Sequence, residues 1–110
     1  MATSYKVLAQ SNPSATTETT LYTTTSGSSG IVSTIAVCNQ ASTAATYRIA
    51  VRPAADGTTA AKHWIVYGAT VPASDSVMLT VGITMAAGDK IQIYASSASL
   101  SFSAFGSEVA

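Results

Sequence analysis

The strongest constraint on this chain is a period of two. Apolar residues recur at alternate positions in short runs, and turn residues separate the runs. Alternation of this kind marks strands with one buried face. The clearest run is Thr46–Arg52, where Tyr47, Ile49 and Val51 point one way and Arg48, Ala50 and Arg52 the other. Val77, Leu79, Val81 and Ile83 alternate in Ser76–Thr84, as do Ile91, Ile93 and Ala95 in Lys90–Ser96, and Leu100, Phe102 and Ala104 in Leu100–Ser107. Tyr5–Gln10 puts Tyr5, Val7 and Ala9 on one face, and a short run from Thr19 to Thr24 centres on Leu21 and Tyr22. In Ile31–Asn39, Ile31, Ile35 and Val37 share a face interrupted by Ser33. Lys62–Val71 is almost continuously apolar through Trp64-Ile65-Val66-Tyr67, which predicts a central or interface strand buried on both faces.

The breaks carry turn chemistry: Ser11-Asn12-Pro13-Ser14, Ser26-Gly27-Ser28-Ser29-Gly30, Asp56-Gly57, Pro72-Ala73-Ser74-Asp75 and Ala87-Gly88-Asp89. Ala54-Ala55 and Ala60-Ala61 are too short for helices, and no segment sustains helical spacing. Eight short strands spaced by roughly a dozen residues predict an all-β domain, an antiparallel β-sandwich or jelly roll. The Ser- and Thr-rich stretch 11–30 contains Leu21 and Tyr22, so it reads as a strand between loops, not as a linker. The expectation is one β-sandwich domain over residues 1–110, with an N-terminal segment able to serve as an arm.

Composition narrows the function classes. Only 9% of positions are charged, five basic against five acidic, where about 25% is usual. Ala, Ser and Thr fill 20, 16 and 16 of the 110 positions. Without a basic excess there is no electrostatic grip for nucleic acid. No apolar run approaches the roughly 20 residues that span a bilayer, and the N-terminus lacks the pattern of a signal peptide. No membrane partner is therefore expected. One cysteine excludes an internal disulfide, which fits synthesis in a reducing cytoplasm. So little charge on a chain of ordinary polarity suggests a surface covered by other chains.

Catalytic and metal motifs are sparse. His63 is the single histidine, and Asp56, Asp75 and Asp89 are its candidate partners. Each of these aspartates stands in a turn signal, where Asp commonly bonds its own backbone. Gly27-Ser28-Ser29-Gly30 is one residue short of a nucleophile elbow. Cys38 and His63 alone cannot supply a zinc site from the usual ligands, so Cys38 reads as a small buried core residue, and the acidic residues are scattered. No phosphate-binding or dinucleotide glycine pattern occurs. No cofactor, metal or enzymatic activity is expected. Candidate interface residues are Arg48 and Arg52, which share a strand face, with Trp64 and Tyr67. Arg, Trp and Tyr are the types that dominate contact hot spots.

Several segments resemble a family of small virion structural proteins of phages, those of cyanobacteria especially. They are Tyr5-Lys6-Val7-Leu8-Ala9-Gln10, Thr20-Leu21-Tyr22-Thr23 and Val32-Ser33-Thr34-Ile35-Ala36-Val37-Cys38-Asn39. The likeness continues through Tyr47-Arg48-Ile49-Ala50-Val51, Gly82–Asp89 and Leu100–Glu108. It is a pattern of strands and turns that spans nearly the whole chain. The Ala86-Ala87-Gly88-Asp89 turn before Lys90–Tyr94 also looks like one in trimeric jelly rolls. The resemblance implies a non-enzymatic part of a particle: a capsid decoration, or cement, protein. It would form homo-oligomers, trimers by this likeness, and bind the major capsid protein at the capsid surface of the virion. A tail, neck or baseplate component is the alternative within the same class. From a different class, a receptor- or carbohydrate-binding β-sandwich would need aromatics exposed on a loop or concave face.

Overall fold

The computed structural model describes residues 3–110. Its eight strands are β1 (Thr3–Ser11), β2 (Thr19–Thr23), β3 (Ser29–Asn39), β4 (Ala45–Arg52), β5 (Trp64–Val71), β6 (Ser76–Met85), β7 (Lys90–Ala95) and β8 (Leu100–Val109). A single 3-10 turn, Ala61–His63, precedes β5. Each alternating run of the sequence is thus a strand. From Thr3 onward the N-terminal segment is an edge strand paired with β8, while Met1 and Ala2 lie outside the described residues.

Two four-stranded antiparallel sheets form, in the orders β1-β8-β3-β6 and β2-β7-β4-β5. This order has a simple origin. Strands β1 to β4 pair with β8, β7, β6 and β5 in turn, as two arms of one long ribbon. Wrapping that ribbon adds the contacts β3–β8 and β4–β7. The result is an eight-stranded jelly roll, an all-β sandwich.

The core lies between the sheets. Val32, Ile35, Val37, Leu100, Phe102 and Ala104 of the first sheet face Tyr47, Ile49, Ile91, Ile93 and Ala95 of the second, all at most 2% exposed. Tyr47 and Phe102 meet edge to face at 6.2 Å. Burial of a side chain such as Phe102 is worth about 2–3 kcal/mol. At one end, the buried Asn39 binds the connection between β3 and β4 to that between β5 and β6. Its Nδ2 donates to the carbonyls of Thr43, Val71 and Pro72, and its Oδ1 accepts from the Ala41 amide and the Ser99 hydroxyl.

Bulges revise three readings of strand faces. On β1 the register slips between Val7 and Ala9, with Leu8 the extra residue. On β3 it slips against β8 between Val32 and Thr34, with Ser33 extra. The β1 slip falls between Phe105 and Ala104 and the β3 slip between Gly106 and Phe105, and the Ser33 hydroxyl donates to the Phe105 carbonyl. An extra residue reverses the alternation. Ala9 therefore faces inward while Tyr5 and Val7 face solvent, and Ile31 is outward while Ile35 and Val37 are core. Gly106 fits here because a Cβ on it would stand 1.9 Å from the Ile31 carbonyl oxygen.

The third revision concerns β5. It is not central but an edge strand of the second sheet. Its register against β4 slips at Gly68 (φ +85) and at Ile65. Two extra residues make its apolar run look continuous in sequence. They leave Ile65 and Tyr67 exposed, and only Val66, Ala69 and Val71 pack on the core.

Candidate functional site

The outer faces of the two sheets differ sharply in charge. On β1-β8-β3-β6, register puts Thr3, Tyr5, Val7 and Gln10 outward on β1, and Ser101, Ser103, Phe105, Ser107 and Val109 outward on β8. The outward residues of β3 are Ser29, Ile31, Ser33, Thr34, Ala36 and Cys38; those of β6 are Ser76, Met78, Thr80, Gly82 and Thr84. None of them is ionic or histidine. Tyr5 is 85% exposed and Met78 68%, with Val7 and Ile31 also open to solvent. Rows run straight across the strands, so Tyr5, Ser107 and Ile31 are neighbours, and so are Val7 and Phe105. Ser107, between Tyr5 and Ile31 in that row, is 9% exposed.

The charges carried by these strands turn elsewhere. Lys6 and Glu108 occupy the inward parity at the rim of the sandwich, where Lys6 Nζ lies 3.0 Å from Glu108 Oε1. Glu108 Oε2 accepts hydrogen bonds from the hydroxyls of Tyr22 and Thr25. The bond from Tyr22, then that from Lys6, hold the Glu108 carboxyl down to about 2 despite some desolvation. Burial, then the bond and charge of Glu108, push the Tyr22 phenol up to about 12.

The outer face of β2-β7-β4-β5 is built the opposite way. Arg48 and Arg52 point outward from β4, as their alternation with Tyr47, Ile49 and Val51 requires. Arg48 pairs in register with Tyr94 on one side and Tyr67 on the other. Its guanidinium lies 4.1 Å from the Tyr67 ring centroid and 4.4 Å from that of Tyr94, between two cation–π contacts. Tyr67 meets Trp64 edge to face at 5.6 Å and 74°. Arg52 stands beside Lys90 and approaches Glu18 Oε2 at 3.8 Å. That oxygen also accepts from Thr59 at 2.6 Å and Gln92 at 2.8 Å. Burial alone would raise the Glu18 carboxyl, but the bonds from Gln92 and Thr59 and the charge of Arg52 outweigh it and hold the group below its ordinary range.

All four interface candidates, Arg48, Arg52, Trp64 and Tyr67, thus share this face. Trp64 and Tyr67 line a cleft of about 490 Å³, whose other wall is Thr59, Ala60 and Ala61. Sequence reading missed Tyr94, Glu18, Thr59 and Gln92 as their neighbours. For Tyr94 the alternation of Ile91, Ile93 and Ala95 already implied an outward side chain. Glu18, Thr59 and Gln92 are joined only by the tertiary fold.

His63 and Asp56 do come together, with His63 Nε2 2.9 Å from Asp56 Oδ2. The Ala60 amide donates to His63 Nδ1 at 2.8 Å, so the ring proton sits on Nε2 and points at the carboxylate. Both ring nitrogens are used within one loop, which fixes the shape of the cleft wall. Asp89 is likewise occupied by the Ala54 and Ala86 amides, and Asp75 by that of Ser76. Cys38 is not the buried core residue that the sequence predicts; it is exposed on the uncharged face, where its register opposite Ser101 puts it outward. Among the described residues, no three His, Cys, Asp or Glu side chains gather as metal ligands, and no helix is long and apolar enough to cross a membrane. In comparison with known proteins, the chain matches no protein-family model, no curated protein and no solved structure.

Proposed function

We propose that this protein is a structural part of a phage particle, a capsid decoration protein that self-associates and clamps the shell of major capsid protein. One observation carries the reading: a whole sheet face, β1-β8-β3-β6, presents Tyr5, Val7, Ile31, Phe105 and Met78 among Ser, Thr and Ala without one charge. Burying an unpaired charge is costly, and this face can be covered without doing so. Its size is adequate. Four strands at about 4.8 Å spacing and about ten residues at 3.4 Å rise give on the order of 650 Å² in projection, against roughly 800 Å² per partner in a standard interface. The strand motifs that resemble virion proteins support the same class, and eight-stranded jelly rolls are a common architecture of capsid components. Each contact would be modest, and repetition over symmetry-related sites would supply the avidity. Function is not fixed by fold, so position in the particle is the test. Cryo-electron microscopy of particles carrying this chain is expected to place copies over the icosahedral shell. Density confined to the tail, neck or baseplate would overturn the decoration role.

A further inference from the structure

The cleft on the opposite face has no part in that assembly reading. We propose that it is a binding site for a sugar, a pyranose ring seated against Trp64 and Tyr67 with its hydroxyls turned to Thr59. The walls favour this chemistry. Trp64 and Tyr67 stand at 74° to one another, so they form a corner and not a parallel slot. A flat base or aromatic side chain would stack on one wall and leave the other uncovered. A pyranose is thick and carries C–H bonds on its face and its edge, which suit both rings at once. The far wall is Thr59, Ala60 and Ala61, small enough to admit the ring, and the volume of about 490 Å³ falls in the range of ligand sites.

The polar groups select for hydroxyls. Thr59 lines the cleft; its hydroxyl donates to Glu18 Oε2 at 2.6 Å and accepts from Arg52 Nη1 at 3.3 Å, which leaves one oxygen lone pair to accept from a sugar hydroxyl. Glu18 itself is not part of the cleft lining; it holds Thr59 in place, with Gln92 and Arg52 on the same Oε2. The wall itself is preformed, because the Ala60 amide is tied to His63 and His63 to Asp56.

Trp64 is the one tryptophan of the chain, so its fluorescence reports on this cleft alone. The full-length protein would be titrated with the methyl glycosides of glucose, galactose, mannose and N-acetylglucosamine. A saturable change in emission is expected with at least one of them. A Kd on the order of 1 mM suits a ligand of about a dozen heavy atoms. Tyr67→Ala should weaken that binding by roughly ten-fold and Thr59→Val by several-fold, while Tyr67→Phe, which keeps the ring, stays within about two-fold. Circular dichroism verifies that each variant is folded. No saturable change with any of the four glycosides overturns the proposal, and so does binding that survives Tyr67→Ala. A change in Trp64 emission that follows protein concentration without sugar would instead assign this face to a second copy, and overturns it as well.

Discussion

The hydroxyl of Tyr22 on β2 donates to the carboxylate of Glu108 near the end of β8, and so ties one sheet to the other at the rim of the sandwich. Lys6 on β1 and Thr25 converge on the same carboxylate. The first and last strands of the chain are therefore locked by one ionised group with three partners.

That arrangement fixes a pH dependence. Glu108 has its carboxyl lowered from an ordinary 4.5 to about 2. Its contribution to stability is complete above about 4.5 and drains away as the pH falls toward 2. Tyr22 is raised from 10 to about 12, so its contribution is complete below 10 and is lost as the pH climbs through 12. Denaturant unfolding across pH should show both limbs. Glu108→Gln should cost about 2 kcal/mol at neutral pH and flatten the acid limb. An unchanged acid limb in that variant would mean that another carboxylate governs it.

Gly106 is expected to tolerate no side chain. A Cβ there would lie 1.9 Å from the Ile31 carbonyl oxygen, and that neighbour is backbone in a paired strand. Gly106→Ala should lower stability by about 3 kcal/mol, read from the urea midpoint. A midpoint within error of the parent would refute the bulge geometry of β3 against β8.

These bulges mark the limit of what the sequence makes legible. Strand positions are read well, because alternation is local and Asn12-Pro13, Asp56-Gly57 and Gly88-Asp89 punctuate it. Facing is read well only where the alternation is unbroken, as on β4, and this is why Arg48 and Arg52 fall on one outer face. Leu8 and Ser33 look like ordinary strand residues. Each owes its extra place to the β8 strand that it meets far away in sequence, Leu8 between Phe105 and Ala104 and Ser33 between Gly106 and Phe105. Strand order is likewise invisible, since β1–β8 and β2–β7 join distant segments. Of the aromatic and arginine cluster, the types could be named from sequence, but not the placing of Arg48 between Tyr67 and Tyr94.

The loop before β5 should depend on His63. Its ring accepts from the Ala60 amide and donates to Asp56, and it is 5% exposed. His63→Ala is expected to speed hydrogen exchange at the Ala60 amide and to cost about 1 kcal/mol, with strand amides little changed. Exchange at Ala60 that stays at the parent rate would show that another group holds the loop.

The central claim is that the uncharged face of β1-β8-β3-β6 is covered by other chains. Sedimentation equilibrium of the parent and of Ile31→Lys, at micromolar concentration, tests it most directly. Ile31 is outward and 43% exposed, so the charge should leave the folded subunit intact. The account predicts an oligomer for the parent and a folded monomer for the variant. A parent that sediments as a monomer, or an oligomer indifferent to the new charge, would contradict it.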